Sequence, residues 1–199
     1  MKKNLFKSLL VALMFILSGD LTAGQPDKSF NAVVSFNYEL NGSTGADQAT
    51  GFNDISTRLA ARVNELTRNR KFAILFPASD SGAGSNMTPD IYLEFSIQFS
   101  GNEQNTAEVY YSDENDHAFR SIKYANMVVS EMKSSRLNLK INGMVESEMD
   151  NLKNAAGPAL QVVMNMAGAV EGNAMLADEE KLDAMARMIY NCIERIYRS

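Results

Sequence analysis

Along this chain the spacing of apolar residues switches repeatedly between every second residue and every third or fourth, and this change of period constrains the fold more than any other feature. Strand-like runs occur at Ala32–Tyr38, Phe72–Phe76, Ile91–Phe99, Val109–Tyr111 and Leu160–Met164. Between them lie stretches with helical stripes: Ile55, Leu59, Val63 and Leu66 in Asp54–Arg68, then Phe119, Ile122, Ala125, Val129 and Met132 in His117–Ser134. A third stripe, Leu182, Met185, Ile189, Ile193 and Ile196, marks Asp178–Tyr197. Strands that alternate with helices predict a single α/β domain with a mostly parallel central sheet and helices on both faces.

Two runs say more. Phe72–Phe76 is continuously apolar and stopped by Pro77, the pattern of a central strand covered on both sides. In Ile91–Phe99 the residues Ile91, Leu93, Phe95, Ile97 and Phe99 point one way, and Tyr92, Glu94, Ser96 and Gln98 the other. That strand is therefore expected to have one polar face. Asn41–Gly51, Ala78–Pro89 and Asn165–Asn173 read as loops. Arg136–Ala156 is either a short strand at Leu137–Ile141 with a helix to follow, or a helix with an irregular lead.

The start of the chain, with Lys2, Lys3 and Lys7 ahead of the apolar run Leu9–Leu17, reads as an export signal ending near residue 23. The run is about half the ~20 residues a spanning helix needs, so the expectation is a protein exported to the periplasm or extracellular space and not membrane-spanning after cleavage. Residues 24–199 then form the domain. The net charge of −5 becomes about −7 once the three Lys and one Asp of residues 1–23 are removed, which is not the basic footprint of a nucleic-acid binder. Cys192 is the only cysteine and falls on the apolar stripe of the last helix, where an inert buried thiol is expected. His117 is the only histidine and is expected to be solvated at a helix start.

Catalytic signatures are scarce. There is no G-x-S-x-G, and the loop Asp80-Ser81-Gly82-Ala83-Gly84 lacks the lysine of phosphate-binding loops. The C-terminal third is more telling. Pro158-Ala159-Leu160-Gln161-Val162-Val163 is followed, after a loop, by Leu176-Ala177-Asp178 and an amphipathic helix. Upstream, in order, come Ser35-Phe36-Asn37-Tyr38-Glu39, Gly45-Ala46, Gly51-Phe52-Asn53-Asp54, Pro89-Asp90-Ile91-Tyr92, Ser96-Ile97-Gln98-Phe99-Ser100 and Ala107-Glu108-Val109-Tyr110-Tyr111. This colinear set resembles the zinc-dependent N-acetylmuramoyl-L-alanine amidases.

The resemblance implies an amidase-like fold, and a zinc ion held by His, Glu and His with a further glutamate that moves the water's proton to the leaving amine. Carried over position by position, the first His falls at Tyr38, the Glu at Asp54 (or Asn53), the second His at Ser96 or Gln98, and the catalytic Glu at Val163. None of these keeps the family's residue. The resemblance therefore implies a degenerate homologue, a pseudoenzyme with no zinc and no other cofactor. Tyr38, Asp54, Glu94, Ser96, Gln98 and Val163 would line the old cleft, with peptidoglycan stem peptides or an envelope protein as partner. The alternative is a peptidoglycan amidase or hydrolase with a non-standard metal site, drawing on Glu39, Asp54, Glu94 and Glu171, or with a shifted acid–base pair such as Asp54 and Glu94.

Overall fold

The computed structural model describes residues 30–40, 46–77, 88–100, 104–167 and 178–199, with the backbone alone at 38–40, 46–54, 99–100 and 166–167. The export signal, most of Ala78–Pro89, and Leu176-Ala177 lie outside these residues. In chain order the elements are β1 (Phe30–Leu40), α1 (Ala46–Thr67), β2 (Phe72–Leu75), β3 (Ile91–Ser100) and β4 (Thr106–Tyr111). They continue with α2 (Ala118–Ser134), β5 (Lys140–Glu146), α3 (Asp150–Lys153), β6 (Ala159–Ala167) and α4 (Glu179–Tyr197). The strands form one sheet in the order β2-β1-β3-β6-β4-β5. Every pairing is parallel except β4 with β6, so the expected mostly parallel α/β architecture is what the chain adopts.

Among the described residues helices occupy the two faces unequally. The three long helices form one layer, α4 packing between α1 and α2. Beneath them the register aligns Val34, Leu93 and Leu160, then Phe36, Phe95 and Val162. Of these only Phe36 is not fully buried, and its ring lies 6.0 Å from that of Phe95. The predicted α4 stripe is buried throughout, with Cys192 inside it. Each large apolar side chain removed from water in this way contributes roughly 1.5–3 kcal/mol, which makes this layer the main source of stability.

α4 begins where Asp178 accepts hydrogen bonds from the backbone N–H groups of Glu180 and Lys181, a conventional N-cap. Arg62 of α1 pairs with Asp183 at 2.5 Å, and Arg58 and Arg62 both bond Glu179. These exposed pairs fix the relative angle of two helices already held by their apolar stripes, and by themselves add little.

Three expectations are corrected and one alternative is resolved. β2 is an edge strand and not a central one, although Phe72, Ala73 and Ile74 are all buried. The reason is aromatic cover: the rings of Tyr190 and Tyr197 approach Phe72 at 6.0 and 5.3 Å, and α1 packs on the same strand, so an edge is shielded as a centre would be. A four-residue edge strand also tolerates the Pro77 that follows. The expected loop Asn41–Gly51 is helical from Ala46 onward, and the strand expected to stop at Met164 runs to Ala167 because parallel pairing with β3 continues to Ser100. Of the two readings of Arg136–Ala156, strand then helix is the observed one, with the strand beginning at Lys140.

Among the described residues the opposite face of the sheet carries only the one-turn helix α3, which packs on β6 with Leu152 buried beneath it. Asn115, itself buried, pins that turn. Its amide nitrogen lies 2.8, 3.2 and 3.1 Å from the carbonyl oxygens of Leu152, Lys153 and Ala155, and its Oδ1 accepts from the His117 N–H at 2.7 Å. Two amide hydrogens shared among three carbonyls satisfy groups that the end of a single turn leaves without partners. Just ahead of β6, Gly157 approaches so closely that a Cβ there would lie 2.5 Å from the Pro89 carbonyl oxygen.

Candidate functional site

β1, β3 and β6 run in the same direction, so their C-terminal ends share one edge of the sheet, where open α/β folds place ligands. On the face away from the long helices the register produces three rows. The first is Ser35, Glu94, Gln161 and Tyr110; the second Asn37, Ser96, Val163 and Glu108; the third Gln98, Asn165 and Thr106. All but Val163 carry polar side chains, as the alternation in Ile91–Phe99 predicts. Val163 stands at the centre, between Ser96 on one strand and Glu108 on the other.

Polar contacts tie these rows together. Ser35 Oγ and Tyr92 OH lie 3.1 Å apart, across β1 and β3. Glu94, half-buried, accepts from Gln161 Nε2 at 2.8 Å on Oε1 and from Asn151 Nδ2 of α3 at 3.3 Å on Oε2. Glu108, also half-buried, accepts from Tyr110 OH at 2.5 Å and from Asn142 Nδ2 at 3.1 Å. Asn142 reaches it because β5 bulges there. The pairing steps from Ala107–Ile141 to Glu108–Gly143, passing over Asn142, and Gly143 takes a φ of 118° that suits a residue without a Cβ.

All four donors to these two carboxylates are uncharged. Among the described residues neither Glu94 nor Glu108 has a Lys or Arg within ion-pair distance, whereas Glu114, Glu131, Asp178, Glu179, Asp183 and Glu194 all do. The hydrogen bond to Glu108, with burial and that residue's charge behind it, pushes the Tyr110 phenol up to about 12. Tyr110 therefore stays protonated across the physiological range. Elsewhere, burial pushes the Cys192 thiol well above its ordinary value, so this group does not enter the chemistry. His117 is half-exposed at the N-cap of α2, and its side chain makes no capping bond.

The positions singled out from sequence fall as follows. Glu94, Ser96, Gln98 and Val163 lie on the same face of β3 and β6, and Ser96 pairs directly with Val163. Tyr38 pairs with Ile97, one step out of that row, where Asn37 stands instead. Asp54 lies in α1 and is described by its backbone alone. Glu171 lies outside the described residues. Glu108 is the group that sequence reasoning passed over, because the strand was begun at Val109; extending the alternation back to Thr106 puts Thr106, Glu108 and Tyr110 on one face.

A zinc site of the kind the resemblance implies needs three converging nitrogen or oxygen ligands. The chain contains one histidine, and among the described residues no three His, Cys, Asp or Glu side chains come together to hold a metal ion. These residues do not fit the group. Nor is any helix of the described residues long and apolar enough to cross a membrane.

The sequence matches no protein-family model and no curated protein. The fold does have solved counterparts. The chain is similar to the N-acetylmuramoyl-L-alanine amidase AmiC2 of Nostoc punctiforme at 17% identity and a TM-score of 0.63, over 88% of this chain and 100% of that one. It is similar to the catalytic domain of CwlV, an N-acetylmuramoyl-L-alanine amidase from Bacillus (Paenibacillus) polymyxa var. colistinus, at 17% identity and a TM-score of 0.62, over 85% and 99%. A third counterpart is the CwlD amidase from Clostridioides difficile in complex with the GerS lipoprotein, at 15% identity and a TM-score of 0.57, over 85% and 99%. The expectation that the chain is not an enzyme is corrected by these matches, since the structures it follows for almost their whole length are amidases and one is a catalytic domain. The chain has the fold of the N-acetylmuramoyl-L-alanine amidases.

Proposed function

We propose that this chain is an exported peptidoglycan hydrolase of the amidase type, working from carboxylates on the polar face of its sheet. One observation carries the reading. The position at which the resemblance places the family's glutamate, Val163, is flanked on the neighbouring strands by Glu108 beside it and Glu94 one row back, each oriented by uncharged donors. A carboxylate absent from β6 is thus replaced by carboxylates on β3 and β4.

Of the two, Glu94 is the better acid–base group. Its donors are amides, which orient it without giving up a proton, so a proton that arrives there remains available for transfer. Glu108 instead shares a 2.5 Å bond with the Tyr110 hydroxyl. In the reaction Glu94 takes a proton from water while the water oxygen bonds the amide carbonyl carbon. The C–N bond then breaks, and the same proton passes to the leaving nitrogen, giving a carboxylic acid and an amine. Glu108 stabilises the ammonium that the released amine becomes. In this reading the proton transfers run through Glu94 and no step uses zinc.

The test is release of stem peptides from purified sacculi and from a soluble muropeptide, with and without chelator. The parent is expected to release peptide in both conditions, and Glu94→Gln to lower the rate by about 100-fold or more. No release by the parent, or full release by Glu94→Gln, overturns the reading. The GerS complex of the CwlD amidase favours an envelope lipoprotein as an additional partner of this fold, to be sought by crosslinking in cells.

A further inference from the structure

We infer that Gln161 and Asn151 are positioning residues for the Glu94 carboxylate, and that the buried Asn115 acts in the same assembly by holding the turn that carries Asn151. The inference rests on the proposed function for its catalytic consequence and on geometry for its substance. Gln161 is only 8% exposed, and its Nε2 is spent on Glu94 Oε1. Burying an amide is unfavourable unless it is hydrogen-bonded, so this side chain exists in the sheet at the cost of an apolar one that would pack at least as well. Its column neighbours on β6, Ala159 and Val163, show that apolar residues are accommodated there.

The second donor comes from a separate element. α3 is a single turn, no long helix among the described residues packs against it, and a turn of four residues has little stability of its own. Asn115 supplies that stability by bonding three carbonyls just beyond Asn151, and Leu152 anchors it below. Two independent parts of the chain therefore converge on the two oxygens of one carboxylate. Neither brings a positive charge, so the carboxylate is fixed in direction while its charge stays available to the face of the sheet.

The experiment is a double-mutant cycle on the full chain using peptide release from a soluble muropeptide. Gln161→Met keeps the volume and removes the donor. It is expected to lower kcat about tenfold with KM within about twofold, the size of a lost hydrogen bond to a charged group. In the Glu94→Gln background the same substitution is expected to have no further effect. Equal losses in both backgrounds, or no loss in either, overturn the inference. Asn151→Ala, at the exposed end of the same arrangement, repeats the cycle if Gln161→Met does not fold. If the parent releases no peptide the proposed function falls, and the inference is decided by the Glu94 carboxyl carbon resonance, assigned by its loss in Glu94→Gln. A shift of that resonance in Gln161→Met or Asn151→Ala supports the inference, and an unchanged resonance in both overturns it.

Discussion

The two faces of this sheet are made from the same strands, often from adjacent residues, and do opposite things. On the face beneath the long helices, Leu93, Phe95 and Ile97 of β3 are at most 1% exposed and contribute nothing polar. On the other face Glu94 and Gln98, their immediate neighbours in sequence, remain partly open to solvent. Period-two alternation separates them completely, so stability and chemistry can change independently. A TM-score of 0.63 at 17% identity is a shared fold carried by a largely different sequence.

The largest effect that would break this comparison is on the helix side. Phe95 is fully buried against Phe36, and Phe95→Ala is expected to cost about 3–5 kcal/mol by urea unfolding, through lost transfer energy and the cavity left behind. A loss under about 1 kcal/mol would show that the helix layer is not the stabilising face. A smaller effect is expected at Asn115, a buried side chain that works as a scaffold on the polar side. Asn115→Ala leaves carbonyls of the α3 turn without donors and is expected to cost about 1–3 kcal/mol. Faster amide exchange confined to residues 150–156 would sharpen the distinction between a locally pinned turn and a cooperative core.

How far the sequence foretold these faces depends on whether a property is local. The α4 stripe and the β3 alternation were legible because period alone reports them. The place of β2 in the sheet was not, because burial of Phe72 by Tyr190 and Tyr197 depends on residues more than a hundred positions away. Val163 and Ser96 could be put in one cleft from a resemblance, but the register that sets Glu108 beside Val163 is a long-range pairing that no window of the sequence contains. The same holds for Asn142, whose access to Glu108 comes from a bulge, and for Asn115, whose three acceptors lie 37 to 40 residues away.

The smallest expected effect is also the most specific to the polar face. Tyr110 donates to Glu108 at 2.5 Å, and that hydrogen bond, then burial, then the carboxylate's charge push the phenol from its ordinary value near 10 up to about 12. The folded state therefore holds this proton more tightly than the unfolded chain does. The contribution to stability is fully present below about pH 10 and is lost as the pH rises from there through about 12. Tyr110→Phe removes it. The difference in unfolding free energy between parent and variant should accordingly be constant from pH 7 to 9 and shrink between pH 10 and 12. A difference that stays flat through pH 12 would mean that the hydroxyl is not held by Glu108 in solution. In that case the Glu108 carboxylate on the polar face would be as free as Glu94 to exchange a proton with water, and the assignment of the acid–base role to Glu94 over Glu108 would lose its physical basis.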